Sequence, residues 1–419
     1  MKIAIVGAGV AGVASAYELA RGGHQVTVFE RRASVAEESS FAPGAALGAG
    51  LLAPWAVPGT MAAPRLAGAG PCVHLAGASL AELRWLWHWR RAARQAQRSS
   101  APTPAVRALA RLVQFSQQCF IETAEALELV LERAPGALVL LPDARSAAPL
   151  RAAVAALRDA GAELHGIDGA AARAMEPGLS GTPRLDGALH LPQAEAANCR
   201  QFTGALRQAA QQLGVAFAFQ SEVARLVPAP GGLSLHLAGD AAAQRFDAAV
   251  LCLGAHGAPL LESLGLRLGM VALWGCSLTA PLREHAAAPQ GVVIDVARQV
   301  SISRLGQRVR VAGGAELGRG HGAPHPATVR QLHEALDTWF PGSVQRAGMQ
   351  LWRGARPMRP DGLPVLGASS VPGLWLNMGH GGCGWSLASG AARLLADAMG
   401  GRPTALAPDE LAHFAPGTA

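Results

Sequence analysis

Two hydrophobic periods alternate along the first thirty residues. "IAIV" at 3–6 is an unbroken apolar run of strand length. Residues 10–21 follow as a helix, and "QVTVF" at 25–29 returns to the strand pattern. The same reading predicts helices over 79–98, 105–133, 147–160 and 200–213. It predicts strands at 137–141, 162–167 and 215–219, and an apolar strand in 246–257 that closes in a glycine turn at Gly254. Residues 266–280 and 291–313 alternate as strands do. An apolar run then leads into Gly379, and a helix runs from Gly384 to Met399, where Gly400 and Gly401 stop it. Residues 39–59, "SSFAPGAALGAGLLAPWAVPG", carry too much glycine and proline for either period and read as a long functional loop. This order predicts an α/β chain whose nucleotide-binding domain is assembled from 1–60, 190–262 and 346–419. A substrate domain from 61–189 and 263–345 is inserted between the pieces.

The opening unit carries the first chemical signal. Gly7, Gly9 and Gly12 spell G-x-G-x-x-G between a strand and a helix, in the run Gly7, Ala8, Gly9, Val10, Ala11, Gly12. The first glycine permits a tight turn, the second lets backbone approach a pyrophosphate, and the third lets helix and strand pack closely. Glu30 ends the second strand, where a carboxylate accepts hydrogen bonds from ribose hydroxyls. That carboxylate disfavours a 2′-phosphate, while Arg31 either offsets it or covers the adenine. The unit by itself fits NAD and FAD equally. Gly379, Gly381 and Gly384 repeat the spelling, but no apolar strand ending in an acid follows the second helix. The repeat is therefore read as a turn before a helix and not as a second nucleotide site.

Composition narrows the class. Half of the 419 residues are apolar, so a large core is expected. Lys2 is the only lysine among 36 basic residues, which reads as codon bias and weakens any argument from the net charge of +7. No basic block interleaved with aromatics suggests nucleic acid. Six cysteines (72, 119, 199, 252, 276 and 383) form no C-x-x-C pair and no metal-ligand spacing, so a reduced, cytoplasmic chain without a metal is expected. The first strand starts at Lys2, leaving no room for a signal peptide, and no apolar run reaches the roughly 18–20 residues of a transmembrane helix. The 79–98 helix combines Trp85, Trp87 and Trp89 with five arginines. It reads either as a packed helix with a solvated basic face or as an interfacial helix touching anionic lipid.

The opening unit, the 39–59 loop, "LCLGAHG", "WRGARPMRPDGLPVLG" and "NMGHGGCGWSLASGAARLLAD" together resemble the D-amino-acid oxidase-like flavoproteins. Within them the closest likeness is to the bacterial D-amino-acid dehydrogenases, and it runs over nearly the whole chain. The resemblance implies a Rossmann-like FAD-binding domain built from discontinuous segments plus an α+β substrate domain with an antiparallel or mixed sheet. It implies non-covalent FAD held by the opening glycine run with Glu30 and Arg31. Ser39, Ser40, Val223 and Gly254 would contribute, as would Gly379, Gly382, Cys383, Gly384 and Trp385. It implies hydride transfer from Cα of a small amino-acid substrate to the flavin. Electrons would pass to a quinone or other carrier, and the protein would sit in the cytoplasm or peripherally on the inner face of the membrane. Arg356, in the G-x-R-P position, becomes the carboxylate-binding and catalytic arginine. Arg353, Trp55 and Gly381 are further substrate contacts. His380 reads as a general base or as a backbone-bonded spacer, and Cys383 as a small packing residue, a redox thiol or a covalent flavin link. The helix after Gly384 would aim its N-terminus at the flavin ring.

Two departures from that family pattern bear on the substrate. "IDVARQVSISR" lacks the tyrosine that related enzymes often carry there, since Tyr17 is the only tyrosine, and "AEAANC" holds fewer acids than the matching stretch of the dehydrogenases. Two other functions keep the fold. One is an oxygen-using amine or amino-acid oxidase of the glycine/sarcosine type, and the other is a flavin-binding subunit without turnover.

Overall fold

The computed structural model describes residues 1–59, 72–99, 101–240, 242–318, 320 and 322–416. Alternation along Lys2–Val6 explains the first layer arrangement. Ile3 and Ile5 point to one face of a six-stranded sheet and Ala4 and Val6 to the other. The strand lies between Gln25–Phe29 and Ala248–Leu251, parallel to both. Leu374–Met378 adds on beyond 248–251, Ala216–Ala218 beyond 25–29, and Val365–Ala368 closes the far edge antiparallel. The Ile3/Ile5 face is covered by helices Val10–Arg21, Cys199–Gln212 and Gly384–Met399. The Ala4/Val6 face is covered by a three-stranded antiparallel sheet of Val223–Ala229, Gly232–Leu237 and Ala243–Phe246.

A second, ten-stranded mixed sheet carries the other half of the chain. Its main path runs Gln350–Met358, Val271–Pro281, Arg308–Leu317, Val300–Leu305, Val292–Asp295, Arg133–Leu141, Gly187–Ala197 and Ala46–Leu47. One face packs on helix Pro326–Trp339 through Val309, Val311 and Leu332. The opposite face packs on helices Pro104–Ala126 and Arg151–Asp159 through Val139, Val292 and Ile294.

Helix Gly384–Met399 joins the two halves. Leu387, Ala391 and Leu394 belong to the core of the large sheet, while Ala388, Ala392 and Leu395 belong to that of the nucleotide sheet. A helix apolar on both sides must be buried on both, and each of its fully buried leucines contributes about 2 kcal/mol.

Several expectations change. The helix expected to reach residue 133 ends at Ala126. Glu128 takes a left-handed conformation, and the Leu129 N–H bonds back to the Ala124 carbonyl at 2.9 Å. This is a Schellman-type stop without the glycine that would have announced it. The 39–59 loop holds a two-residue strand, Ala46–Leu47, and a 3₁₀ turn, Gly50–Leu52. Strand Gln350–Met358 hydrogen-bonds to Val271–Pro281 in the large sheet, on the far side of the boundary drawn at 346, and strand Gly187–Ala197 crosses the one drawn at 190. The boundary at 60/61 lies outside the described residues. Among the described residues, no helix is long and apolar enough to cross a membrane.

Candidate active site

A cavity of about 430 Å³ runs between the two sheets, from Gly7 and Glu30 at one end to Arg356 and Gly381 at the other. At the first end the glycines do what their spacing implies. Gly7 has φ +107°, and a Cβ on it would stand 2.7 Å from the Cys252 carbonyl oxygen. A Cβ on Gly12 would stand 1.9 Å from the Gly7 oxygen. Helix Val10–Arg21 therefore starts against the end of the strand, and its N-cap, Gly9, supplies no side-chain acceptor. The Val10 N–H instead donates to Ser40 Oγ at 3.1 Å, which leaves the hydroxyl proton free to face an anion. Glu30 accepts from the Ala8 N–H at 2.7 Å on one oxygen and from the Arg32 N–H at 2.8 Å on the other. That fixes its carboxylate, with lone pairs remaining for ribose hydroxyls. An extended nucleotide with a diphosphate fits this cradle, as FAD requires.

Arg31 lines the same end but pairs with Glu38 at 2.8 Å, which Arg32 also contacts. Burial pushes Glu38 up, but Arg32 and Arg31 together outweigh it and hold the carboxyl below its ordinary pKa.

The other end is built on strand Gln350–Met358. Arg356 pairs in register with Leu273, and its side chain lies across Gly275, where a Cβ would stand 2.4 Å from Nη1. Its Nη1 donates to the Gly314 carbonyl at 2.9 Å and its Nη2 to that of Gly313 at 3.5 Å. It forms no ion pair among the described residues, and burial pulls its pKa down to about 10. Arg353 is different. It is bound to Glu316 at 3.1 Å, lies 4.3 Å over the Trp274 ring and donates to the Gly320 and Gly322 carbonyls, outside the cavity lining.

His380 sits in the second glycine turn, buried, with its Nε2 2.8 Å from Asn377 Oδ1. The direction of that bond follows from its neighbours. Ser15 donates to the Ala11 carbonyl at 2.8 Å, so it must accept from Asn377 Nδ2 at 2.9 Å. The amide oxygen therefore faces His380, whose Nε2 must carry the proton. Burial takes the ring's pKa down to about 4. At neutral pH it is an uncharged ring and a weak base.

The structure brings Gly7, Gly9, Val10, Ala11, Glu30 and Arg31 to the cavity wall, with Ser39, Ser40, Val223 and Gly254 beside them. At the far end it brings Gly379, His380, Gly381, Gly382, Gly384, Trp385 and Arg356. Four expected contacts lie behind that wall besides Arg353. Ala8 contributes its N–H to Glu30, and Gly12 is spent on helix packing. Trp55 is buried among Trp85, Trp89 and Met358, and its backbone oxygen is what a Cβ on Gly382 would strike at 2.4 Å. Cys383 contacts the Gly50 carbonyl at 3.3 Å, with burial pushing its thiol up to about 12, which describes a packing residue and not a reactive thiolate. Asn377, Glu38, Ser277, Trp352 and His256 are site residues that sequence reasoning did not single out. Only Asn377 had a signal, as a polar residue in an apolar strand ahead of the glycines.

Among the described residues no cluster of histidine, cysteine or acid is arranged to hold a metal. The family model described as FAD dependent oxidoreductase, DAO, matches residues 2–398. A D-amino acid dehydrogenase of Cereibacter sphaeroides is 35% identical over 412 residues, covering 96% of this chain and 92% of the relative. One from Rhizorhabdus wittichii is 34% identical over 421 residues, covering 98% and 99%. Among solved structures, glycine oxidase from Geobacillus kaustophilus aligns with a TM-score of 0.74 at 22% identity, covering 100% of this chain and 98% of that one. L-α-glycerophosphate oxidase from Mycoplasma pneumoniae with FAD bound aligns with a TM-score of 0.68 at 16% identity, covering 97% and 96%. These two likenesses speak to the fold alone.

Proposed function

The chain belongs to the DAO family of FAD-dependent oxidoreductases, and on that premise we propose that it oxidises the Cα–N bond of a D-amino acid with an uncharged side chain. The imino acid then hydrolyses to a 2-oxo acid, and the electrons pass to a membrane quinone. The observation that carries this reading is the state of Arg356. Its guanidinium reaches the cavity on carbonyl dipoles, with no ion-pair partner among the described residues. A buried cation held only by dipoles is costly until an anion arrives, and a carboxylate matches its planar fork through two parallel hydrogen bonds.

Bound FAD supplies the two-electron acceptor for the hydride that leaves Cα. The protein supplies position. Arg356 holds the carboxylate and so orients Cα. Gly275, Cys276, Ser277, Ala312 and Ala355 make that end of the cavity small and neutral, which favours an uncharged side chain. Helix Gly384–Met399 has no side-chain cap and no acid in its first turn, so its N-terminal dipole is available to negative charge developing in the cavity. His380, neutral and bound to Asn377, is a weak base at neutral pH, so the substrate ammonium would lose its proton to water and react as the free amine. The relatives' names support both the D-configuration and an acceptor other than oxygen.

Anaerobic mixing of FAD-loaded protein with D-alanine, L-alanine and D-aspartate tests the reading by flavin absorbance. Rapid bleaching by D-alanine, none by L-alanine and slow bleaching by D-aspartate are expected. Bleaching by the L-isomer alone, or by neither isomer, overturns it. Peroxide formed in air in proportion to substrate would remove the quinone from it.

A further inference from the structure

Large apolar side chains exposed on this molecule are few, and they are not scattered. Of nine among the described residues, four fall between residues 75 and 87: Leu75 at 40%, Leu80 at 86%, Leu83 at 40% and Trp87 at 56% exposure. Three of these lie on helix Leu80–Arg98, at the spacing that puts them on one face near its N-terminus. Arg84, Arg91, Arg94 and Arg98 continue the same face toward the C-terminus, all exposed. None of the four forms an ion pair among the described residues, although Arg31, Arg133, Arg346 and Arg393 elsewhere all do. Arg91 lies 5.5 Å over the ring of Trp87. The helix has one acid, Glu82, and it is turned away from this face. One carboxylate oxygen caps Ser79 and the other accepts from the Gly318 N–H at 3.0 Å.

The opposite face is fully committed. Trp85, Leu86 and Trp89 are buried with Leu273 and Met358, and the Trp85 indole donates to the Met358 carbonyl at 2.9 Å. Met358 ends the strand that carries Arg356. The helix is thus fixed to the substrate sheet by one side and offers solvent an apolar patch flanked by unpaired guanidinium groups on the other.

From this arrangement we propose that the outer face of helix Leu80–Arg98 docks the protein on an anionic lipid surface. Leu80, Leu83 and Trp87 would enter the headgroup boundary, with the arginines over lipid phosphates. Charge complementarity selects this occupant, because a face with cations, no acid and an aromatic between them matches an anionic interface. A solvated basic face has no use for a leucine exposed at 86%. The inference deepens the quinone part of the proposed function and rests on it only for the purpose of docking.

The test is sedimentation of the FAD-loaded full chain with two kinds of vesicle, phosphatidylcholine alone and equal parts phosphatidylcholine and phosphatidylglycerol. Binding to the anionic vesicles and not to the neutral ones is expected, weakening as salt rises. Leu80→Ser/Trp87→Ser should cost about tenfold in affinity, and Arg84→Gln/Arg91→Gln/Arg94→Gln about a hundredfold. Failure to bind anionic vesicles, or equal binding by the serine variant, overturns the proposal, as does tighter binding to duplex DNA than to vesicles. D-amino-acid-driven reduction of a soluble dye should be unchanged in both variants. Loss of dye reduction in the wild type would strike the oxidoreductase chemistry and leave the vesicle result standing, so the two failures are distinguishable.

Discussion

The two glycine turns share a spelling and differ in what makes each glycine necessary. In the first, the constraint is largely internal, with one contact from outside, the Cys252 carbonyl that backs Gly7. Gly12 answers to Gly7, five residues back, and Glu30 closes the unit on the next strand. In the second, the constraint comes from elsewhere. A Cβ on Gly379 would stand 2.9 Å from the Met270 sulfur and one on Gly382 2.4 Å from the Trp55 oxygen, while one on Gly384 would meet only His380 Cβ at an ordinary 3.5 Å. The first turn is a strand–turn–helix cradle suited to a diphosphate, backed by the end of one neighbouring strand. The second is a seam where the 39–59 loop, the large sheet and the nucleotide sheet meet, and its helix belongs to two cores. A motif spelled alike thus does different work according to whether its contacts are local.

The same substitution at the third glycine of each turn should separate the two most sharply. Gly12→Ala drives a Cβ into a backbone oxygen that cannot move aside, at a cost above about 3 kcal/mol, so the purified protein should lack flavin and melt early. Gly384→Ala sits in a helical position with room, and the apo-protein should change by less than about 1 kcal/mol, in the stabilising direction. Thermal unfolding of both apo-proteins reads the contrast, and equal losses would erase it.

The next contrast sets Arg356 against Glu30. Arg356→Ala removes a charge-assisted pair of hydrogen bonds worth about 3 kcal/mol, so KM for a D-amino acid should rise by about two orders of magnitude with flavin content intact. Because the cation has carbonyl contacts and no ion-pair partner among the described residues, Tm should hold or rise. A fall in KM or a loss of flavin would contradict the assignment. Glu30→Ala should do the reverse, with FAD affinity down by about thirtyfold, from about 2 kcal/mol of lost ribose contacts, and KM little changed once FAD is saturating. Equilibrium dialysis of the flavin checks the first part and steady-state kinetics the second.

That division also explains what was legible in the sequence. The elements of the Lys2–Phe29 unit were readable because the pattern that sets them, strand, glycines, helix and strand, lies within thirty positions, whereas the Ala248–Leu251 strand that pairs with it, and Cys252 after it that backs Gly7, are distant. The 384–399 helix was readable because its ends are marked by glycines, and the G-x-R-P setting pointed to Arg356, which lines the cavity. Trp55 was misplaced because its side chain answers to Trp85 and Met358, far off in sequence. Arg353 was misplaced because its carboxylate, Glu316, comes from another strand. The end of the 104–126 helix was missed because Glu128 takes a conformation usually left to glycine. The Asn377–Ser15 link spans 362 positions, and no local pattern announces it.

That link makes the smallest predicted effect at neutral pH and a distinctive one below it. His380→Gln keeps a donor for Asn377 while removing the titration. Folded His380 has its pKa held at about 4 by burial, against 6.5 for an ordinary imidazole. Between pH 6.5 and 4 the unfolded chain therefore holds a proton that the folded chain refuses. The wild type has the full benefit of the neutral ring above pH 6.5 and loses about 1.4 kcal/mol of stability per pH unit as the pH falls through that window. Glu176 runs the other way. Burial raises its carboxyl to about 7 in spite of the Gln290 and Gly291 N–H groups, so its contribution is lost as pH rises from 4.5 to 7. The two slopes offset each other in the wild type. Removing the histidine should expose the carboxylate's slope, so the stability of His380→Gln relative to wild type should climb steadily from pH 6.5 down to 4. Urea unfolding across that range measures it. A constant difference would mean that His380 titrates normally in the folded protein.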